Sequence, residues 1–419
     1  MRDKIVVIGG GFAGLSFARK LSGKSGQKVV LIDRVNHHMF QPLFYQVASG
    51  RIEPSNISFP FRKIFQRSRN VQFRMSEVER IIPEENKIVT SDAVFSYDKL
   101  VIATGCKTNF FGNEKMERLT YGMKNTQEAI SIRNQILLTF EKLIIEKSRS
   151  DDGNWNIVIV GSGPTGVELA GAFAEMKKEV LPRDYPHMNF DHLKIILVSA
   201  TEKPLDVMSK EAQNQSEKYL KDLGVDFWSG ERVVDYDGDV VSMQSGKVVA
   251  SNNVIWAAGV TGNVIEGLGE DKMVRNRFIV DRFNKIKGYD SIYAIGDIAY
   301  METPKYPTGH PQVANVALNQ GANLAKNFLK KSESDWKEYE YKDMGSMATI
   351  GKHKAVVDLP KWKFQGTFAW YFWMFLHLML ILTVRNKLAI FFNWMWSYFN
   401  KDSSLRLIIL PTKTNKTEQ

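Results

Sequence analysis

Two glycine-rich stretches have the residue types and the spacing needed to bind a phosphate chain. Each follows a short apolar run, residues 5–8 in one case and residues 157–160 in the other. Both have the pattern G-x-G-x-x-G, carried by Gly9, Gly11 and Gly14 and by Gly161, Gly163 and Gly166. The first glycine makes a tight turn, the second admits a pyrophosphate, and the third lets a helix pack on a strand. The helix N-terminus then offers free N–H groups to phosphate. Two copies predict two dinucleotide-binding βαβ units.

Residues at the ends of other apolar runs indicate which nucleotide each unit binds. Asp33 ends the strand that follows the first glycine stretch, where a carboxylate can accept hydrogen bonds from ribose hydroxyls. Asp297 follows a later strand, at a position suited to the ribityl chain of a flavin. An Asp at a turn commonly serves only the turn itself. Small residues end the neighbouring strands: Ala103, Thr104 and Gly105 in the first half, Ala258 and Gly259 in the second. Together these features favour FAD in the first unit and a nicotinamide nucleotide in the second.

Ser199 stands at the strand end where an NAD-selective unit usually carries Asp or Glu. A serine can hydrogen bond to ribose only once, and it does not repel a 2′-phosphate. No arginine follows it, although Lys203 is close in sequence. The pattern favours NADH as the electron donor and leaves NADPH open.

The composition excludes several kinds of chemistry. Cys106 is the single cysteine, so the chain has no internal disulfide, no cysteine zinc site and no Cys-x-x-Cys electron relay. The seven histidines show no metal-ligand spacing, and we expect no metal. The net charge of +10 would suit nucleic acid, an anionic membrane or phosphate ligands. The N-terminus has no signal-peptide pattern, so we expect the site to face the cytoplasm.

The C-terminal part has the composition of a membrane-associating segment. Residues 364–384 carry no charge, and about 20 apolar residues suffice to cross a bilayer. Arg385 and Lys387 precede a second aromatic stretch, 391–399, that is too short for a clean return crossing. Tryptophan favours the membrane–water interface, and five of the nine tryptophans fall here: Trp362, Trp370, Trp373, Trp394 and Trp396.

We therefore expect two helices that lie in one leaflet, with residues 362–400 on the lipid surface and basic side chains near anionic headgroups. This accounts for some of the positive charge, and we expect no nucleic-acid partner. A single spanning helix is the first alternative. A helix buried in the protein core or in a homodimer interface is the second.

The order of the motifs predicts an α/β fold with two Rossmann-like dinucleotide-binding domains, for FAD and NAD(P)H, and a C-terminal amphipathic helical membrane-associating segment. The predicted boundaries are 1–113 for the first part of the FAD-binding domain, 114–154 for a connecting helical segment, 155–262 for the NAD(P)H-binding domain, 263–335 for the second part of the FAD-binding domain, and 336–419 for the membrane-associating domain.

Residues 36–48, with the run His38-Met39-Phe40-Gln41-Pro42-Leu43-Phe44-Tyr45-Gln46-Val47, add the most specific motif. Together with both glycine stretches, the strand ends and the tail, this motif resembles type II NADH:quinone oxidoreductases over nearly the whole chain. The resemblance implies non-covalent FAD, hydride transfer from NADH to the flavin N5, and transfer of two electrons and two protons to a membrane quinone, without proton pumping. It also implies a monotopic enzyme of the respiratory chain on the cytoplasmic side of the inner membrane.

The resemblance assigns roles to individual residues. The FAD-binding set is Gly9, Gly11, Phe12, Ala13, Gly14, Asp33, Gln46, Ala103, Thr104, Gly105, Asp297 and Ala314. The nicotinamide nucleotide set is Gly161, Gly163, Gly166, Glu168, Ala258 and Gly259, and Ser199 joins it through its position at the strand end.

Four residues are candidates for the catalytic steps: Glu168, Asn315, Asn319 and Gln320. In the family, the Glu that corresponds to Glu168 lies near the nicotinamide and is proposed to influence proton delivery. The alternative is an acid that only complements the positive end of its helix. Asn315 and Asn319 replace two of three glutamines in the family pattern Ala-Gln-x-x-x-Gln-Gln, and an Asn keeps the amide on a shorter stem. The N-terminus of their helix could also stabilise reduced flavin.

Other functions remain open at this point. A reductase of the same fold could pass electrons to a soluble protein, although the aromatic tail argues against a soluble acceptor. A membrane-bound FAD and NADH sensor with slow turnover would have the same motifs. A sulfide-oxidising quinone reductase is disfavoured, because such enzymes work through several cysteines and this chain has one.

Overall fold

A computed structural model describes residues 3–146, 155–400 and 406–410. The strands, in chain order, are β1 (Asp3–Ile8), β2 (Gln27–Asp33), β3 (His37–Met39), β4 (Ser58–Pro60), β5 (Val71–Met75), β6 (Val78–Ile82), β7 (Lys87–Thr90), β8 (Val94–Ser96), β9 (Lys99–Ile102), β10 (Cys106–Thr108), β11 (Ile157–Val160), β12 (Ile195–Val198), β13 (Val225–Trp228), β14 (Val233–Tyr236), β15 (Val240–Met243), β16 (Val248–Ala250), β17 (Asn253–Trp256), β18 (Val260–Gly262), β19 (Met273–Val274), β20 (Arg277–Ile279), β21 (Ile292–Ala294), β22 (Ala299–Tyr300), β23 (Ser346–Thr349), β24 (Ala355–Asp358) and β25 (Lys363–Gly366).

The helices are α1 (Phe12–Leu21), α2 (Phe44–Ala48), α3 (Phe61–Ile64), α4 (Glu114–Leu119), α5 (Thr126–Glu146), α6 (Pro164–Glu175), α7 (Leu181–Asp184), α8 (Lys210–Asp222), α9 (Ala314–Phe328), α10 (Thr367–Leu380) and α11 (Val384–Asn400). Side-chain caps fix the starts of some of them. The Ser209 hydroxyl accepts a hydrogen bond from the Ala212 N–H at the start of α8, and the Asn113 side chain accepts one from Met116 at the start of α4.

The chain forms two compact units, and the first consists of residues 1–39, 58–107 and 260–344. Its central sheet has the strand order β21-β9-β1-β2-β5, with all neighbours parallel. The apolar runs in β1 and β9 are buried, as expected for parallel strands covered on both faces. Helix α9 packs against α1 so closely that a side chain on Gly321 would overlap the carbonyl oxygen of Ala13.

The second unit consists of residues 40–57, 108–259 and the chain from Gly345 onward. Its parallel sheet has the order β13-β12-β11-β17, and a three-stranded antiparallel sheet, β14-β15-β16, packs in the same core. A second antiparallel sheet, β23-β24-β25, carries α10 on one side and contacts α6 through β23. Helix α2 packs against α5 and α6.

This division differs from the predicted boundaries at two segments. Residues 40–57, predicted within the FAD-binding domain, belong to the second unit because α2 buries its side chains against α5 and α6. The tail from Gly345, predicted as a separate domain, clusters with the second unit because β23 packs on α6. The connecting segment predicted over 114–154 contains α4 and α5, and its residues 147–154 lie outside the described part of the chain.

The uncharged run 364–384 does not form one helix. Residues 363–366 belong to β25, Gly366 turns the backbone at φ 87°, and α10 has 14 residues. At 1.5 Å per residue, α10 is about 21 Å long. Within residues 3–146, 155–400 and 406–410, no helix is both long enough and apolar enough to cross a membrane.

The tryptophans of the tail divide between the two faces of its helices. Trp362 and Trp396 are exposed, as expected for side chains at a lipid surface. Trp373 is buried and stacks on His377 with ring centroids 3.9 Å apart, and the Trp394 indole donates a hydrogen bond to Gln46. The expectation of membrane-interface tryptophans is therefore corrected for these two, because they pack inside the second unit.

Candidate functional site

The first glycine turn has the geometry that its sequence pattern predicts. Gly9 has φ +97°, and a side chain there would overlap the Ala103 carbonyl oxygen at the end of β9. A side chain on Gly14 would overlap the carbonyl oxygen of Gly9, which explains the third glycine. Beside Gly11, by contrast, an added side chain would meet no atom within 4 Å. The turn is therefore closed at its first and third glycines and open at its second.

The second glycine turn repeats this geometry. Gly161 has φ +107° and lies against Ala257 at the end of β17, while Gly166 lies against the Gly161 carbonyl. Gly163 is again open, with no atom within 4 Å of an added side chain. Both α1 and α6 start directly after the open glycine without a side-chain cap. Their first N–H groups can therefore bind phosphate oxygens, so each turn fits a dinucleotide.

The two turns also lie at matching points of their sheets. The strand order reverses between β1 and β9 in the first unit and between β11 and β17 in the second. Ligands of open parallel sheets bind beyond the carboxyl ends of the strands at this reversal. Ala103, Thr104 and Gly105 follow β9 there, and Ala258 and Gly259 follow β17.

Asp33 is fixed at the end of β2 by the first glycine turn. Its carboxylate accepts hydrogen bonds from the N–H of Gly10 at 2.6 Å and from the N–H of Val35 at 3.0 Å. Burial raises the pKa of Asp33, and these two hydrogen bonds oppose that rise. The carboxylate is thus held beside the open turn, as the ribose-binding prediction requires.

His38 supports the same turn and was not singled out from the sequence. Its Nδ1 lies 3.0 Å from the Gly10 carbonyl oxygen, and its ring packs between Phe12 and Phe59. Burial lowers the pKa of His38 to about 4, so the ring is neutral at physiological pH and donates this hydrogen bond. Its position in the specific run 36–48 was the available signal.

Asp297 and Gln320 are brought together in the first unit. Asp297 lies in a turn that begins at Gly296, and it accepts a hydrogen bond from the Cys106 thiol at 2.9 Å. The Gln320 side-chain oxygen accepts from the Gly296 N–H at 2.7 Å. Its Nε2 is buried and has no hydrogen-bond partner among the described residues. A buried amide donor without a partner fits a bound polar group at this position.

The three amides predicted to take part in the catalytic steps, Asn315, Asn319 and Gln320, do not share one face of α9. Gln320 is fully buried, Asn319 is exposed and Asn315 is half-buried. Ala314 begins α9, whose first N–H groups have no side-chain cap, and Ala13 faces Gly296 from α1. The structure therefore groups Gln320 with Asp297 and leaves Asn319 on the outer surface of the helix.

Glu168 is a half-buried acid on the first turns of α6. Burial raises its pKa to about 8, and a hydrogen bond from the Thr349 backbone N–H opposes that rise. A helix N-terminus favours the charged form of an acid, so a pKa this high shows that burial dominates. Glu168 is therefore largely protonated at neutral pH, unlike an acid that only complements a helix end.

Tyr45 connects Glu168 to the tail, and the sequence analysis did not assign it a role in the site. The Tyr45 hydroxyl lies 3.0 Å from the Thr349 Oγ1, and the Gln46 Nε2 donates to the Tyr45 oxygen at 2.9 Å. The Gln46 Oε1 accepts from the Trp394 indole at 2.7 Å. The amide of Gln46, predicted to contact FAD, is thus bonded at both ends within the second unit.

Tyr45 and Gln46 also line a cleft between α2 and the tail helices, which we call the aromatic cleft. It encloses about 470 Å³ of empty space, a figure that includes the open solvent at its mouth, and it is lined by Tyr45, Gln46, Arg51, Gly351, Lys352, Trp370, Trp373, Met374, Trp394, Ser397 and Tyr398. Arg51 and the Lys352 N–H both bind Glu175, and the Lys352 Nζ lies 3.0 Å from Glu179. The charges of the cleft are therefore paired, and the remaining lining is mostly aromatic.

Ser199 lies in a cluster of hydroxyl groups at the end of β12. Its Oγ is 2.6 Å from the Ser162 Oγ and 2.9 Å from the Thr201 Oγ1, and the residue is buried. Lys203, which follows, forms an ion pair with Glu217. No carboxylate takes part in this cluster, so the position has no negative charge to repel a 2′-phosphate.

Comparison with known proteins defines the class first. Residues 3–321 match the family model for pyridine nucleotide-disulphide oxidoreductases, and the chain belongs to this class of two-nucleotide flavoproteins. Residues 344–401 match the model for the NDH2 C-terminal domain. The type II NADH:quinone oxidoreductase Ndh of Mycobacterium tuberculosis is 32% identical over 94% of this chain and 87% of its own length. The chain belongs to the type II NADH:quinone oxidoreductase family.

Solved structures show the same fold. The structure of NDH2 from Plasmodium falciparum in complex with NADH has a TM-score of 0.90 and 20% identity, covering 98% of this chain and all of that one. The sulfide:quinone oxidoreductase of Aquifex aeolicus has a TM-score of 0.72 and 20% identity, covering 98% of this chain and 96% of that one. Family membership confirms the predicted α/β fold, the cofactors FAD and NADH, and the prediction of an FAD-dependent NADH dehydrogenase that reduces quinone.

Proposed function

We propose that this chain binds FAD at the glycine turn of the first unit and NADH at that of the second, and that it reduces a membrane quinone that enters through the aromatic cleft. The residues that would hold FAD are those around the first turn, with Asp33, Asp297 and Gln320. When bound, FAD accepts a hydride from NADH and passes the electrons on to quinone. The protein positions both nucleotides, and Glu168 supplies or receives a proton.

The outer face of the tail supports a position on a membrane surface. Its exposed apolar side chains are Phe368, Tyr371, Phe375, Met379, Leu380, Leu388, Phe391, Phe392 and Trp396. Such a large exposed apolar patch is unusual on a soluble surface and is typical of an interaction site. The exposed Lys361 and Arg385 flank it and suit anionic headgroups, and Lys363 beside them lies 3.6 Å from Glu211. We propose that α10 and α11 lie on the cytoplasmic face of the inner membrane.

One observation carries the proposed route of the quinone. The aromatic cleft lies on the inner side of the helices whose outer side is this apolar face, and Tyr45 on its inner wall reaches Glu168 through Thr349. A quinone is a flat apolar ring with two polar oxygens, and the cleft offers aromatic side chains with a few polar groups. A lipid-soluble acceptor can therefore enter where the helices contact lipid.

The proposed proton step involves the Glu168 carboxyl. Reduction of a quinone to a quinol consumes two protons, and a general acid acts best when its pKa lies near the working pH. With a pKa of about 8, the Glu168 carboxyl carries a proton at neutral pH and can release it when a developing negative charge is near.

The coenzyme is a further part of the proposal. The neutral hydroxyl cluster around Ser199 accepts NADH without excluding NADPH. The Lys203 ammonium is already paired with Glu217, so it adds no free positive charge to attract a 2′-phosphate. We expect NADH to be the better donor and NADPH to be used more slowly.

A cleft-filling variant tests the quinone route. Met374→Trp adds bulk inside the aromatic cleft, whereas Met344→Trp makes the same change at an exposed site. The added ring occupies space that the quinone would need, and a loss of about 1–3 kcal/mol in binding would correspond to roughly 5- to 150-fold in kcat/KM. We expect Met374→Trp to lower kcat/KM for a short-chain quinone by this factor, with NADH:ferricyanide activity unchanged and Met344→Trp normal.

The outcomes separate the candidate functions. Equal loss of quinone and ferricyanide activity in Met374→Trp would contradict the cleft as the quinone route. No quinone turnover in the unmodified protein, despite rapid flavin reduction by NADH, would favour a soluble acceptor or a slow membrane-bound sensor. In that case, turnover with an iron–sulfur protein distinguishes the reductase from the sensor.

A further inference from the structure

A series of hydrogen bonds connects the aromatic cleft to Glu168, and donor chemistry fixes the direction of the first two. Trp394 Nε1 is only a donor, so the Gln46 atom that faces it is the side-chain oxygen. The Gln46 Nε2 therefore faces Tyr45 and donates to its oxygen. The Tyr45 and Thr349 hydroxyls lie 3.0 Å apart, and either can donate to the other because the Tyr45 oxygen can accept a second hydrogen bond. Hydrogen bonds therefore connect the cleft to Thr349 without a break.

Thr349 contacts both Tyr45 and Glu168. Its hydroxyl binds Tyr45, and its backbone N–H binds the Glu168 carboxyl. Thr349 ends β23 and is itself buried, so its position depends on these two contacts and on its strand. A change at Tyr45 is therefore transmitted to the N–H that stabilises the charged form of Glu168.

We propose that Tyr45 is a positioning residue that connects the aromatic cleft to Glu168 through Thr349, and so controls when Glu168 gives up its proton. The inference rests on the proposed quinone function. Because Tyr45 and Gln46 line the cleft, an acceptor that enters contacts the same groups that hold Thr349. Binding of the acceptor is in this way coupled to the acid that serves its reduction.

Other charged or titratable groups surround Tyr45 besides Glu168, and His353 contacts Trp370 and Tyr398 of the same cleft. Arg51 is paired with Glu175, which also accepts the Lys352 N–H. Burial lowers the pKa of His377, which stacks on Trp373 beside Tyr45, to about 4. Arg133 lies on α5, the helix packed against α2, and a guanidinium stays charged at these pH values.

Tyr45→Phe removes the hydroxyl and keeps the ring. Without it, Thr349 is held less firmly and Glu168 loses part of the stabilisation of its charged form. We expect the alkaline limb of the quinone-dependent kcat profile to move up by roughly half a pH unit or more. The pH profile of the NADH:ferricyanide rate, measured alongside, reports any effect of the substitution on flavin reduction itself. Tyr185→Phe, which removes a hydroxyl bonded to Glu141, is the matched control and should leave the profile in place.

A double-variant cycle separates coupling from a structural effect. Thr349→Val removes the other hydroxyl of the same contact, so Tyr45→Phe combined with Thr349→Val should shift the profile no further than the larger single change. Additive shifts, or an unmoved profile, would overturn the inference. If Tyr45→Phe does not fold, Trp394→Phe, which releases the Gln46 amide, is expected to give the same direction of shift. Normal quinone turnover with an unmoved profile refutes only the coupling, whereas absent turnover in the unmodified enzyme refutes the proposed function.

Discussion

Replacing Glu168 with Gln should make the protein more stable and the enzyme slower. Burial raises the pKa of Glu168 from 4.5 to about 8, a difference that corresponds to about 5 kcal/mol. Below pH 4.5 the Glu168 carboxyl is protonated in both the folded and the unfolded chain, so it does not lower the free energy of unfolding. As the pH rises from 4.5 to about 8, only the unfolded chain releases the proton, so stability falls by about 1.4 kcal/mol per pH unit. Above about 8 the loss is complete.

A glutamine cannot ionise and avoids this loss. At pH 7 the Glu168→Gln variant should therefore be more stable by about 3 kcal/mol, and at pH 4.5 the two proteins should be alike. The same change removes the proton donor, and quinone-dependent kcat should fall by roughly 100-fold. A gain in stability with a loss of activity is typical of a residue kept for function.

Thermal unfolding of the two proteins is compared at a series of pH values, with the release of flavin as the signal. We expect the difference in Tm to grow from near zero at pH 4.5 to on the order of 5 °C at pH 7. A difference in Tm that is the same at all pH values, or a less stable variant at pH 7, would refute the assignment of Glu168 as an acid that is protonated at neutral pH. Loss of ferricyanide activity would show that the substitution disturbs flavin or NADH binding instead.

Three further outcomes follow from the geometry. Gly163→Ala should fold normally and raise the KM for NADH about tenfold or more, which NADH titration measures. Gly166→Ala should fail to give stable protein because its side chain would overlap Gly161, which thermal melts test. Ser199→Asp should lower kcat/KM for NADPH at least about tenfold with little change for NADH, and an unchanged ratio would contradict the role of Ser199. Phe375→Ser should weaken binding to anionic vesicles by roughly 30-fold, because transfer of one Phe side chain into the membrane is worth about 2 kcal/mol. Co-sedimentation of the variant with normal affinity would count against the membrane face.

The glycine turns could be predicted from the sequence because their geometry is local. A positive φ at Gly9, open space at Gly11 and close packing at Gly14 all arise within a few residues of one strand and one helix. Asp33 could be predicted for the same reason, since it ends the next strand of the same unit. The separation of Asn319 from Gln320 could also have been inferred, because adjacent helical residues point about 100° apart.

The unpredicted features depend on contacts between distant parts of the chain. Tyr45 and Thr349 are 304 residues apart, and Gln46 and Trp394 are 348 apart. A tryptophan in an aromatic stretch has the same sequence pattern whether it is exposed, as Trp396 is, or donates to a buried amide, as Trp394 does. The elevated pKa of Glu168 likewise follows from burial that only the folded chain creates.

The way the chain is divided between its two units has a consequence for synthesis on the ribosome. The chain passes from one unit to the other after residues 39, 57, 107, 259 and 344. Strand β21 completes an edge of the first sheet beside β9, and α9 covers α1, yet both are translated after the parallel sheet of the second unit. A nascent chain that ended before residue 292 would lack β21, the Asp297 turn and α9, and would leave the edge of β9 and the face of α1 that packs on α9 uncovered. The amino-terminal glycine turn is thus translated first but is among the last parts to gain its full surroundings, so flavin should enter a nearly finished polypeptide.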